Sequence, residues 1–168
     1  MRLLSQILFF SFISLASLPS LAKFSTPAEI MKQVQERGIN SVVAEINAEY
    51  KQDKIIQNIA TGDKQWLQVA FKLYPNIHPE FSRQIINALS VALIENPEEV
   101  LSLIKTHRTL SFIDICNMPS TIKGRSQQKL FIKRIINSLR AAEQSNKGKD
   151  QYNIEACIWE FERALSYM

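Results

Sequence analysis

The stretch from Pro79 to Lys105 constrains the fold of this chain more than any other part of the sequence. Between Ile85 and Ile94 eight of ten positions are apolar, and on a helix they cover most of the circumference. A helix that is apolar on nearly all sides is a buried one. Asn96-Pro97 with Glu99 then has the composition of a helix start: an N-cap, a proline at the first helical position and an acid in the first turn. We therefore predict a buried central helix followed directly by a partner helix.

Short apolar stripes at helical spacing occupy the remainder of the chain beyond its first residues. The 168 residues contain only 4 Gly and 6 Pro, few for a chain of many strands and tight turns. The segment from Leu110 to Cys116 is too short for its period to separate helix from strand, and its helical surroundings favour a helical turn. The sequence predicts an all-α, single-domain bundle of six or seven helices around the central one, over residues 23–168.

The first 22 residues have the pattern of a secretory signal peptide. Arg2 is their only charge, a short apolar run follows, and Ser20-Leu21-Ala22 supplies small residues for cleavage after Ala22. The alternative is an uncleaved membrane anchor, but the run is shorter than the roughly 20 residues of a spanning helix. Cleavage removes one of 20 basic residues and none of 16 acidic ones, so the net charge becomes 19 − 16 = +3. We expect a periplasmic or secreted protein that is not integral to the membrane.

Cys116 and Cys157 are the only cysteines of the chain. In an exported protein an isolated pair is most simply one disulfide, and the rival interpretation is two buried thiols. The helical spacing of the last segment places Cys157 on its core-facing side. A bond between the two would join the short apolar segment to the last helix.

Motifs for catalysis, metals and cofactors are sparse. His78, His107 and the cysteines have no close metal-ligand spacing, and phosphate-binding glycine loops are absent, so no cofactor is predicted. Ser102 with Lys105 and Ser120 with Lys123 match Ser-x-x-Lys, but the partner motifs of penicillin-recognising enzymes are missing. Glu98 and Glu99 suit a helix N-terminus, while three carboxylates of the last helix have the spacing of a solvated face: Glu155, Glu160 and Glu162.

Basic residues concentrate on one predicted helix, the segment from about Ser126 to Gln144. Lys129, Lys133, Arg134 and Arg140, preceded by Lys123 and Arg125, predict a docking face for an acidic protein or an anionic envelope component. The alternative is a solvated helix face opposite the acidic last helix. Nucleic acid is not expected, because aromatic residues do not interleave with the charges.

Both tryptophans, Trp66 and Trp159, belong to the residue type enriched in binding hot spots. Trp66 is added to the predicted partner-binding set. Each tryptophan also adjoins core-facing positions, so partial burial is the competing interpretation for both.

Several packing and capping signals resemble a loose group of small exported helical proteins of Gram-negative bacteria. The resemblance rests on Trp66-Leu67-x-x-Ala70, Ala88-Leu89, Asn96-Pro97, Val100-Leu101 and Ile115-Cys116-x-x-Pro119. It implies export and a helical fold. The group has no assigned activity, so the resemblance adds no catalytic residue.

Together these features favour an exported, non-enzymatic binding protein. One concrete form is an immunity protein that blocks a toxin acting in the periplasm. The alternative is a small envelope hydrolase that acts on peptidoglycan through carboxylates or a serine.

Overall fold

Nine α-helices and one 3₁₀ turn form the structure over residues 25–48, 51–145 and 151–168, the ranges that the computed structural model describes; these ranges contain no strand. The all-α prediction is confirmed, while the predicted signal peptide of residues 1–22 lies outside the described residues. The helices are α1 Pro27–Arg37, α2 Ile39–Ala48, α3 Gln52–Ala60, α4 Lys64–Leu73, α5 Pro79–Ala92, α6 Pro97–His107, α7 Phe112–Ile115, α8 Arg125–Ser145 and α9 Gln151–Ser166, with the 3₁₀ turn at Tyr74–Asn76.

The number of helices in the described ranges is higher than the six or seven expected. The apolar residues between Val42 and Ile59 are divided between two helices, α2 and α3. The segment from Leu110 to Cys116, whose period did not separate helix from strand, forms the predicted helical turn, α7. The structure therefore contains more and shorter helices than the sequence predicted, and each buries one apolar stripe.

Side-chain caps set the starts of several helices. The Thr26 hydroxyl accepts from the backbone N–H of Glu29 at 3.2 Å, and the Asp63 carboxylate accepts from the first turn of α4 at 3.0 Å. Asn96 accepts from the Glu99 N–H at 3.4 Å and donates to the Gly62 carbonyl at 3.0 Å. Each cap satisfies backbone groups that a helix end otherwise leaves unpaired. The Asn96 cap also ties α6 to the turn before α4.

The central helix α5 packs against α3, α6 and α7. Ile85 and Leu89 are fully buried, as are Ala92 and Leu93 at its C-terminal end, which agrees with the predicted buried helix. Its edge is less enclosed than the sequence suggested, since Val91 stays partly open. Buried apolar side chains from the other eight helices join those of α5 in one core cluster.

The last two helices, α8 and α9, form the most extensive helix pair of the structure. Phe131 of α8 meets Phe161 of α9 edge to face, with ring centroids 6.5 Å apart. The predicted disulfide is confirmed: the sulfur atoms of Cys116 and Cys157 are bonded, and both residues are buried. The bond joins the end of α7 to the inner face of α9.

Candidate functional site

The basic residues predicted to contact a partner lie on α8 as expected, but they do not share one face. Lys129, Lys133 and Arg140 follow each other at spacings of four and seven and lie on one side of the helix. Arg134 is turned about 100° from Lys133. It lines a shallow depression with Leu130 on another side of α8.

One of these four basic residues of α8 forms an ion pair within the structure. Arg140 forms an ion pair with Glu162 of α9, with 2.6 Å between Nη2 and Oε1. That contact matches the alternative in which the basic helix faces the acidic one. Lys133 and Arg134 are exposed and Lys129 is half-buried; none of these three makes an ion pair with another described residue. A smaller basic group therefore remains for a partner.

Trp66 differs sharply from Trp159 in exposure. Trp66 is 9% exposed, because α4 is packed by α1, α3 and α6. Trp159 is 56% exposed on the outer side of α9. The competing interpretation, burial, thus describes Trp66, while Trp159 has the exposure that contact with a partner requires.

Two exposed aromatic residues, Tyr152 and Trp159, lie on the outer face of α9, and a third, Tyr167, follows the last residue of the helix. Tyr152 and Tyr167 are each 82% exposed, and Trp159 lies between them. On an α-helix Tyr152 and Trp159, seven positions apart, lie within about 20° of each other. The opposite side of α9 carries the buried residues Ile154, Cys157, Ile158 and Phe161. We call Tyr152, Trp159, Arg163 and Tyr167 the α9 aromatic stripe.

Sequence reasoning did not include the tyrosines of this stripe. The available signal was their position opposite the apolar face of the last helix. Exposed tyrosines are common, however, and only packing around the helix distinguishes a free outer face from a second buried one.

The exposed Trp159 ring is held by its neighbours. The guanidinium carbon of Arg163 lies 4.6 Å from the centre of the indole ring, which is a cation–π contact. Glu160 in turn forms an ion pair with Arg163, and its side chain is only 13% exposed. The nearly buried carboxylate thus fixes the guanidinium, and the guanidinium fixes the ring. A ring held in this way loses little conformational entropy when it is covered.

A cleft of about 280 Å³ opens next to the stripe. It is lined by the disulfide residue Cys116 and by Asn117, and on the α9 side by Glu160, Arg163 and Tyr167. The cleft therefore combines a carboxylate, a guanidinium, an amide and an aromatic ring in one place. These groups supply hydrogen-bond donors, acceptors and an apolar surface together.

Several residues considered for catalysis form hydrogen bonds or ion pairs with other parts of the fold. Ser120 exchanges two 3.1 Å hydrogen bonds with Asn87, and it lies in a turn rather than on the helix that a Ser-x-x-Lys pair needs. Glu98 accepts from Ser145 at 2.8 Å, and Glu99 pairs with Lys64 at 3.2 Å. Among the described residues, no group of three or more His, Cys, Asp or Glu is placed to hold a metal ion.

Two side chains with shifted pKa values lie on elements other than α9. Hydrogen bonds from Ser25, with smaller ones from Thr26, lower the pKa of Glu29 at the start of α1. Burial, with a contribution from the Asp114 carboxylate, raises the pKa of Tyr74. Both shifts follow from local packing and capping.

None of the helices in the described ranges has the length and hydropathy that crossing a bilayer requires. The chain matches no protein-family model, no curated protein and no solved structure. The structure thus defines a small all-α, disulfide-linked protein with an exposed aromatic face, and inferences about its function depend on that face.

Proposed function

We propose that this chain is an exported, non-enzymatic binding protein of a bacterial cell envelope that acts in the periplasm after residues 1–22 are removed. The signal-type sequence supports export. The Cys116–Cys157 bond fits an oxidising compartment, where such bonds persist. The resemblance to small exported helical proteins agrees with the same compartment.

One observation carries the binding function: the exposed Trp159 ring, held by Arg163 between two exposed tyrosines. Tryptophan, tyrosine and arginine are the residue types that dominate binding hot spots. A large ring left in water is costly, and the Glu160–Arg163 contacts keep this ring exposed in one orientation. Folding does not require a tryptophan ring that is exposed and fixed in one orientation, whereas contact with a partner does use one.

The partner is another protein or an anionic component of the envelope. Lys129 and Lys133 on the neighbouring helix add positive charge that attracts an acidic partner. An immunity protein against a toxin active in the periplasm is one concrete form of this function. In that form the stripe would contact the toxin.

Export is tested by the N-terminus of the mature chain. Mass spectrometry of the protein recovered from its native compartment is expected to give a chain that begins at Lys23 and contains the intact disulfide. A chain that retains Met1, or recovery from the cytoplasm with two free thiols, would contradict the proposal.

Binding through the stripe is tested by site-specific photo-crosslinking in the native host. The crosslinking amino acid p-benzoylphenylalanine replaces Trp159 in one strain and Gln35 in a control strain. Gln35 is a suitable control because it is exposed on α1, a helix that packs against α2 and α4 and carries none of the proposed binding residues. We expect a defined adduct from position 159 and none from position 35. Equal labelling at both positions, or labelling only at 35, would contradict a docking role for α9.

A further inference from the structure

Helix α8 and the turn before it concentrate charge of one sign. Between Asp114 and Glu143 the chain contains six basic residues and no acidic one. Lys129 and Lys133 are four positions apart on α8, a spacing at which like charges slightly destabilise a helix. The stability of α8 gives no reason for this concentration of charge, whereas contact with a negatively charged partner does.

Within the described part of the chain, only one of these six basic residues has an ion-pair partner. Arg140 pairs with Glu162 of α9, and Glu160, a second carboxylate of α9, pairs with Arg163 of its own helix. Four of the other five basic residues are exposed: Lys123, Arg125, Lys133 and Arg134. The packing of α8 against α9 therefore leaves most of the positive charge unneutralised.

A largely apolar depression of about 210 Å³ lies at the start of α8. Its lining consists of three apolar residues and two polar ones, namely Ile122, Leu130, Phe131, Gln127 and Arg134. The Gln128 side-chain amide donates to the Ile122 carbonyl at 3.1 Å, which holds the preceding turn against the helix. Leu130 is nevertheless 46% exposed. The depression is thus built from two connected segments and has an apolar wall that is open to solvent.

Basic residues adjoin this depression. On α8, Lys133 and Arg134 lie one turn beyond Leu130, about 60° to one side of it and about 40° to the other. Lys123 directly follows Ile122 in the turn before the helix, and none of the lining residues is acidic. We call Ile122, Lys123, Leu130, Lys133 and Arg134 the α8 basic surface. It combines one apolar recess with positive charge on both sides of Leu130.

This shape favours a protein segment over a membrane surface. A helix that inserts into a bilayer presents a wide apolar face with several large side chains. Among the described residues of α8, Leu130 is the only large apolar side chain that is exposed, and it lines a recess. A recess accepts an apolar side chain of a partner, and the charges beside it attract carboxylates.

We infer that the α8 basic surface binds an acidic segment of a partner protein, with one apolar side chain of that segment in the depression and its carboxylates beside Lys123, Lys133 and Arg134. The inference rests on the proposed function in taking the chain to be a binding protein, and it states the chemistry of the partner. It places this contact on α8, so it is tested separately from the aromatic stripe of α9.

Three synthetic helical peptides test the inference. The first carries glutamates at spacings of three and four around one leucine. The second has glutamine in place of each glutamate, and the third has serine in place of the leucine. Each labelled peptide is titrated with the disulfide-intact mature chain and followed by fluorescence anisotropy. At low ionic strength we expect the first peptide to bind about tenfold more tightly than either of the others, and more weakly as salt is added.

Matched variants locate the binding surface. The double variant Lys133→Glu, Arg134→Glu reverses two charges beside the depression and should weaken binding of the first peptide about tenfold or more. The control Lys54→Glu, Lys72→Glu makes the same change in net charge at exposed positions of α3 and α4, and its loss of affinity should be much smaller. Circular dichroism melts verify that both variants are folded.

Vesicles test the membrane alternative. The mature chain is sedimented with vesicles of phosphatidylglycerol and, as a control, of phosphatidylcholine. We expect less binding to phosphatidylglycerol vesicles than to the first peptide at the same ionic strength. Binding to these vesicles without binding of the peptide would assign the surface to a lipid and overturn the inference.

Three peptide results would also overturn the inference: no binding of the first peptide, equal binding of the glutamine or serine peptide, or equal losses in the two double variants. If position 159 gives a crosslinked adduct in the host and the first peptide does not bind, the inference fails and the proposed binding function stands. If the first peptide binds as expected and position 159 gives no adduct, the docking role of α9 fails and the inference stands.

Discussion

The disulfide between Cys116 and Cys157 allows the most quantitative prediction about this protein. The bond closes a loop with a sequence separation of 41 residues. In the chain-entropy model a loop of this length restricts the unfolded state by about 4 kcal/mol at 25 °C. Removing the bond should therefore lower the free energy of unfolding by about 4 kcal/mol. For a chain of this size the loss corresponds to a fall in Tm of about 8 to 16 °C.

Two perturbations separate the cross-link from the packing of its sulfur atoms. Reduction of the wild-type protein breaks the bond and leaves both sulfurs in the core. The double variant Cys116→Ala, Cys157→Ala also removes two buried sulfurs, so it should lose somewhat more stability than the reduced protein. The difference between the two forms measures packing alone.

Urea unfolding monitored by circular dichroism is the appropriate assay. Loss of the cross-link should also raise the m-value, because the unfolded chain without the bond exposes more surface. If the reduced protein loses less than about 1 kcal/mol and its m-value is unchanged, the reasoning from loop length is refuted. A loss confined to the double variant would assign the effect to packing.

Three further predictions concern single residues. Ser90→Ala should lower the free energy of unfolding by about 1 to 3 kcal/mol, because the buried Ser90 hydroxyl donates to the Ile115 carbonyl at 2.6 Å and that oxygen would lose this partner. The control is Ser166→Ala at an exposed position, and equal losses of stability for the two variants in urea unfolding would contradict the argument. Gly62→Ala should lower the Tm in thermal melts more than Gly124→Ala. Both glycines have positive φ, but a Cβ at Gly62 would lie 2.9 Å from the Glu95 Cβ, whereas a Cβ at Gly124 would have nothing within 4 Å. Equal falls in Tm would show that the Glu95 side chain moves away at no cost. The pKa of Glu29 in an NMR titration should lie below 4.5 and rise in Ser25→Ala, whereas a midpoint at or above 4.5 would contradict a role of the capping contacts in stabilising the ionised Glu29 carboxylate. Because the pKa is lower in the folded state, this stabilisation is present above the unfolded-state pKa and disappears as the pH falls through the folded-state pKa.

Local patterns predicted the helices well. The predicted cap at Asn96 acts over three residues, so a single sequence contains all the information it needs. The number of helices was underestimated, and the stretch from Val42 to Ile59 is divided between α2 and α3 near the charged residues Lys51 to Lys54. The cysteine pairing followed from having only two cysteines to pair.

The surface proposed for binding could be predicted less completely than the fold. The basic residues of α8 were correctly assigned to a helix, but the ion pair from Arg140 to Glu162 depends on how α8 and α9 pack together. Trp66 was included in the predicted set, and its 9% exposure leaves it little surface for a partner. Tyr152 and Tyr167 were not in the predicted set, because their exposure depends on how the rest of the chain packs around the last helix.

The sequence by itself determined the all-α class, the caps and the only possible disulfide, because short-range periodicity and the presence of two cysteines specify them. The tertiary structure alone decided that Trp66 is enclosed and Trp159 is open. Both tryptophans lie on amphipathic helices beside core-facing positions. Helix α4 packs against α1, α3 and α6, and α9 packs against α6, α7 and α8, but Trp66 lies on a covered side of its helix and Trp159 on the open side of its own. Burial depends on which side of a helix its neighbours cover, and that arrangement is a property of the assembled chain.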